Sequence, residues 1–152
     1  MKDIALVAGD NELDVEMVPI VVAPPRGEIL EIEWKRYSGT DVWHSLSDPM
    51  PSYTDVYHRW KVKNTGDGTF YFNIGQYQTG YGEGWYYTNH PVQLSPNEEG
   101  YIEDVFGTGK PRSPFSFTWY LFGDATPLTG YQGKDKETKE WCDSITVTVT
   151  VV

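Results

Sequence analysis

Three histidines, one cysteine and a surplus of carboxylates are the groups in this chain that could do chemistry. His44 lies three residues after Asp41 and four before Asp48, with Ser45 and Ser47 alongside, so hydroxyl, imidazole and carboxylate share one short run. A nucleophilic triad draws its members from separated segments on a rigid scaffold and adds an oxyanion hole. One loop supplying all three is poor geometry, and a small hydrolase is the weakest of the functions weighed. His58 falls in line with Trp60 on an apolar alternation and is expected to be buried and hydrogen-bonded. His90 precedes Pro91 and belongs to a turn. No two histidines stand two or four residues apart, so zinc ligation has no support. Glycosidases use carboxylates about 5–10 Å apart, but any acidic sheet surface offers such pairs. Asp10, Asn11 and Glu12, or Asn64, Asp67 and the Gly66 carbonyl, supply oxygens without the spacing of a dedicated calcium loop. Turn formation explains both groups better. Cys142, beside Trp141, has no activating base near it in sequence and is expected to act as a small, partly buried hydrophobe. The expectation is a non-enzyme with no catalytic residues, no metal and no cofactor.

The remaining chemistry is aromatic. Six Trp and eleven Tyr in 152 residues exceed what a core alone requires, and such side chains serve interfaces as readily as strands. They are densest from Gln76 to His90, where Tyr77, Tyr81, Trp85, Tyr86 and Tyr87 interleave with Gly80, Gly82 and Gly84. Glycines beside aromatics let a loop reverse while presenting rings. These five residues are the candidate ligand or partner contacts.

The elements that must position them read as strands. Val56, His58, Trp60 and Val62 alternate with Tyr57, Arg59, Lys61 and Lys63; Phe70, Phe72 and Ile74 alternate with Tyr71, Asn73 and Gly75. With Asn64–Gly68 between them, a cluster suited to tight reversals, the spacing predicts a β-hairpin whose buried face centres on Trp60, Val62, Phe70 and Phe72. Before it, Leu30, Ile32 and Trp34 are expected to face inward from a strand over 28–37, and Ser38–Thr54 forms a long loop. After it come a short strand from Val92, another from Tyr101, and an aromatic strand from Phe115 to Phe122. Tyr120 and Phe122 lie on the outer side of that strand, which implies that part of the outer face is covered. Lys134–Glu140 alternates in charge and reads as a solvated loop. Ser144–Val152 alternates Ile145, Val147, Val149 and Val151 against threonines that suit a solvated face.

At the N-terminus, Ile4, Leu6, Leu13, Val15 and Met17 line one side of a second alternating hairpin whose other side is acidic. Such a hairpin is marginal alone, so its apolar side must lie on the main domain or on another copy. Pro19, Pro24 and Pro25 keep the following segment extended. Residues 1–25 are therefore an assembly arm, or the stub of a preceding module, and residues 26–152 are the domain.

The totals agree. A chain this long buries roughly 68–70% of its unfolded surface and needs no metal or disulfide to hold it. A lone cysteine permits no intrachain disulfide in any case. The net charge of −10 repels phosphate backbones and anionic lipid, so nucleic acid is not an expected partner. No run approaches the ~20 apolar residues of a membrane span, and Ile4–Ala8 is too short and too soon interrupted for a secretory signal. The fold expected is all-β, an antiparallel β-sandwich of seven or more strands with an extra N-terminal hairpin, which the resemblance given next makes immunoglobulin-like.

The order of the pieces resembles a prokaryotic immunoglobulin-like family, the cell-adhesion-related domain (CARDB) of bacteria and archaea. The resemblance rests on Val62-Lys63-Asn64-Thr65-Gly66 leading to Phe70-Tyr71-Phe72, on Val92-Gln93-Leu94-Ser95-Pro96-Asn97-Glu98, and on the aromatic and Thr/Val strands near the C-terminus. It spans about residues 26–152. Asn97 stands where the family usually has Gly, and the Tyr/Gly/Trp stretch lies outside the family pattern. Residues 1–18 are similar to the hairpin that closes another prokaryotic surface β-domain. The resemblance implies a non-catalytic spacer, adhesion or decoration module, located outside the cell, on its surface or on a virion. Its partners would be other copies or surface and capsid proteins. The alternative is a carbohydrate-binding module in which Tyr81, Trp85, Tyr86 and Tyr87 stack on sugar rings of a glycan.

Overall fold

A computed structural model of the chain describes residues 17–19, 21–78, 83–108, 112–133 and 140–152. The expected arm contacts Ile4, Leu6, Leu13 and Val15, the contact Tyr81, most of the Lys134–Glu140 run and the Asp10–Glu12 turn lie outside the described residues. Among the described residues there is no helix long and apolar enough to cross a membrane.

The strands are Gly27–Arg36 (β1), His44–Ser45 (β2), Asp55–Asn64 (β3), Phe70–Gln78 (β4), Gly84–Tyr87 (β5), Val92–Leu94 (β6), Glu99–Gly107 (β7), Arg112–Asp124 (β8), Gly130–Gly133 (β9) and Trp141–Val151 (β10). They form two antiparallel sheets, ordered β2-β1-β3-β7 and β10-β8-β4-β5-β9, with β6 added beside β4. The architecture is an immunoglobulin-like sandwich. Period-two alternation turns one face of each sheet inward. Ile32, Trp60, Val62 and Ile102 from the smaller sheet meet Phe72, Ile74, Trp119, Leu121 and Val147 from the larger. A second cluster of Trp34, Met50, Val56, Val149 and Val151 fills one end. The threonines of β10 take the solvated face: Thr146 and Thr148 exchange hydroxyl hydrogen bonds with Thr118 and Ser116 across the strand pair.

The 56–75 stretch is not a hairpin. Its inward faces are as expected, but β3 pairs with β1 and β7 while β4 pairs with β5, β6 and β8. The reversal between them is an arch from one sheet to the other. Asn64 is fully buried at its root, where its Nδ2 donates to the carbonyls of Gly68 and Leu94 and its Oδ1 accepts from the Gly66 N–H. Its backbone N–H donates to Glu98, and its carbonyl accepts from Asn97. Thr65 donates to Arg26. The backbone groups that would close a hairpin are committed elsewhere. Alternation reports which face is buried, not which strand lies beside it.

Other departures are local. A bulge between Ile29 and Glu31 shifts the inward register, so Ile29 packs on the core and Leu30 is 41% exposed. The long loop contains β2 and returns Met50 to Val151, with N–H groups of Met50 and Ser52 donating to Thr150 and Val152. Among the described residues of the Gln76–His90 stretch, most belong to the end of β4 and to β5, not to loop. Val21 and Val22 are exposed, whereas Pro25 packs on Gly123, where an added Cβ would lie 2.6 Å from the proline.

Candidate functional site

The outer face of the larger sheet changes character along its length. Ser116, Thr118, Tyr120 and Phe122 project from that side of β8. At one end the face is a hydroxyl ladder; at the other it is aromatic. There Trp85 and Tyr87 of β5 and Phe122 form a small core of their own, with Tyr120 and Leu128 against it. The rings meet edge to face: Trp85 to Tyr120 at 5.1 Å, Trp85 to Phe122 at 5.2 Å, Tyr87 to Phe122 at 5.0 Å. Gly75 lies beneath them, and a Cβ there would approach Phe122 to 2.9 Å and Tyr87 to 3.0 Å. The absent side chain is what lets the rings lie down on the sheet. The covering of Tyr120 and Phe122 expected from the sequence is this cluster.

Five aromatic residues were candidate contacts, and they divide. Trp85 and Tyr87 are buried, so their rings are walls of the cluster and not a platform. Burial, and secondarily Asp124, pushes the Tyr87 hydroxyl up to about 12. Tyr77 is 38% exposed at the edge of the same face; its hydroxyl donates to Glu83 at 2.9 Å, which raises its pKa. Tyr86 projects from the opposite side of β5 and stacks on Tyr131 at 4.7 Å. Met17, the described member of the arm contacts, is 88% exposed.

Trp141 completes the patch and was not anticipated. It is 48% exposed, lies 4.8 Å from Tyr120 and 6.3 Å from Trp85, and stands opposite Phe122 in register. The alternation of Ile145, Val147 and Val149, carried back, would turn residue 141 inward; the bulge between Trp141 and Asp143 puts it on the outer face instead. The outer face of the smaller sheet holds a second unanticipated group. The Arg59 guanidinium lies between Trp43 (4.2 Å) and Tyr101 (4.8 Å) and pairs with Glu33 at 2.6 Å. Trp43 comes from the long loop, so spacing gave no hint of that contact.

The histidines do not make a catalytic centre. His44 Nε2 faces Asp41 at 3.2 Å and Nδ1 faces Asp48 at 3.7 Å, with the ring stacked on Trp34. Both nitrogens are turned to carboxylates, and Ser45 and Ser47 hydrogen-bond to each other. The Arg36 backbone N–H, and then His44, hold the Asp41 carboxyl below its usual range. His90 is exposed, and its N–H donates to Thr88. Burial pushes the Cys142 thiol up, and its Sγ donates to the Pro25 carbonyl. The Asn64 oxygen is spent inside the arch. Among the described residues no three His, Cys, Asp or Glu side chains gather as a metal site would require. His58 corrects its expectation: it is buried at 4% exposure, but neither ring nitrogen has a hydrogen-bond partner among the described residues.

No family model matches the chain, and no curated protein matches it. Among solved structures it is similar to the CARDB domain of a Pyrococcus furiosus protein, described as a complex with di-metal ions. The identity is 15%, the TM-score 0.44, and the match covers 93% of this chain and 100% of that one.

Proposed function

We propose that the chain is a non-catalytic structural or interaction module of a surface or virion assembly, with a spacer, adhesion or decoration role. The observation that carries this is the contrast within one sheet face. Where β8 and β10 need only a solvated surface they carry paired hydroxyls; beyond Tyr120 the same face carries the exposed rings of Trp141 and Tyr77. Rings supported from below by Trp85, Tyr87 and Phe122 offer area with few rotors to immobilise, which is what a docking surface needs. Its partner on this reading is another copy or a surface or capsid protein, reached through the aromatic face and residues 1–25.

Sedimentation of the full chain, of the chain lacking residues 1–25, and of Trp141→Ala tests this. A self-association lost in the shortened chain and weakened in Trp141→Ala is the result expected. A full-length monomer indifferent to both changes overturns the assembly role. The second reading, a carbohydrate-binding module, is favoured by the same exposed rings. Because Trp85 is core, its test moves to Trp141 and Tyr77: polysaccharide retention that Trp141→Ala and Tyr77→Ala leave unchanged would remove it.

A further inference from the structure

The interior between the sheets is not filled throughout. Beside the Met50–Val151 end lies a cavity of about 310 Å³, walled by Val56, Phe106, Phe117, Trp119, Val149 and Val151. Gly107, at its rim, is exposed. The cavity is partly open to solvent and partly walled by core side chains, so a small molecule could enter it without displacing the core. Its volume sits at the lower end of the ~300–1,000 Å³ typical of small-molecule sites.

The polar groups at the chamber are unusual in a second, independent way. His58 lines it with both ring nitrogens unpartnered, and Trp119, which forms another wall, has an unpartnered buried Nε1–H. Buried polar atoms are overwhelmingly hydrogen-bonded, and His58 and Trp119, two of the three side chains that depart from this among the described residues, line one cavity, with the third, Trp60, packed against both. The rings hold each other in place: His58, Trp60, Phe106 and Trp119 make mutual contacts at 4.9–6.1 Å. Desolvation lowers His58 to about 4, so near neutrality the imidazole offers one donor and one acceptor. Asp104, opposite His58 in register, accepts from the Asn89 and Val105 N–H groups. The lining contains no charged side chain. Gln76 and Thr108 add polar groups to the lining, but an ion entering it would be desolvated without a counter-charge.

We propose that this chamber is a binding site for a small neutral molecule, a ring-sized apolar body bearing a hydroxyl group that exchanges hydrogen bonds with His58 and Trp119. The hydroxyl donates to the free imidazole nitrogen and its oxygen accepts from the Trp119 indole N–H; the body packs on Phe106, Phe117 and the valines.

Phenol and toluene test this, because they share shape and differ in the hydroxyl. Each is titrated into the ¹⁵N-labelled full chain while the His58 imidazole and Trp119 indole resonances are followed. Saturable shifts at both, with phenol binding about tenfold tighter than toluene, are the result expected. His58→Leu should reduce the preference while keeping toluene binding. Val149→Leu, which adds bulk to the wall, should weaken both probes alike and serves should His58→Leu fail to fold. No movement of these resonances by either probe, equal affinities in the unaltered chain, a preference undiminished in His58→Leu, or shifts confined to Trp141 and Tyr77 would each overturn the assignment.

Discussion

His58 should make this protein sensitive to mild acid. Burial holds its imidazole down to about 4 against an ordinary 6.5, and its neighbours are the rings of Trp60, Phe106 and Trp119. Above pH 6.5 the group is neutral both folded and unfolded and adds no pH dependence. Below 6.5 the unfolded chain takes up a proton that the folded protein refuses, so stability falls with pH until the folded imidazole itself titrates near 4. A displacement of this size amounts to about 3 kcal/mol across the window, of which about 2 kcal/mol is lost by pH 5. Urea denaturation followed by tryptophan fluorescence, run from about pH 7.5 to about pH 5 on the native sequence and on His58→Leu, reads this linkage directly. His44, His90 and the carboxylates are common to both proteins, so the difference between the two pH profiles isolates His58. The native sequence should lose about 2 kcal/mol more than the variant over that range. Parallel profiles would show that His58 is solvated or paired in the folded state, and would refute the argument.

Substitutions at three positions probe the packing. Trp60→Ala, at a fully buried position, should cost about 3–5 kcal/mol in the same denaturation assay. Asn64→Ala removes three side-chain hydrogen bonds at the arch and should cost about 3 kcal/mol. Asn64→Asp should not rescue it, because a carboxylate cannot donate to the Gly68 and Leu94 carbonyls. Gly75→Ala should lower the thermal midpoint, at a cost of about 1–3 kcal/mol, by driving a methyl group into Phe122 and Tyr87.

Much of the fold was legible because one-sided burial writes itself into sequence at period two. Val56, Trp60, Val62, Phe72 and Ile74 are inward, as their alternation indicates, and the threonines of β10 are outward. What alternation does not encode is lateral partnership. The Asn64–Gly68 run has a hairpin's composition, yet its asparagine is used to bind two sheets, a role visible only when Leu94 and Glu98 are seen beside it. The candidate site was half legible for the same reason. The density of aromatics around Trp85 located the right region, but which rings are walls and which are surface depends on Gly75, Phe122 and Trp141, brought together from three strands. His58 shows the limit most clearly. Its place on an apolar face predicted burial, while the lack of a partner is a property of everything around it.

The arch has a consequence for how the chain comes to be folded at all. Strands adjacent in sequence, β3 and β4, are not neighbours in a sheet, so no early local hairpin joins the two sheets; the local pairing nearby, β4 with β5, lies wholly within the larger sheet. Trp60 finds its cross-strand neighbours only in Ile32 and Ile102, and the inward valines of the last strand close the core opposite it. Folding speed falls as contacts become more distant in sequence, which places this domain among slow all-β folders, on the order of milliseconds to seconds. During synthesis the apolar faces of β1, β3 and β4 emerge well before β10 can cover them. Until that strand leaves the ribosome, the sandwich has one sheet's worth of partners and a half-built second, and such exposed intermediates are where aggregation competes with folding.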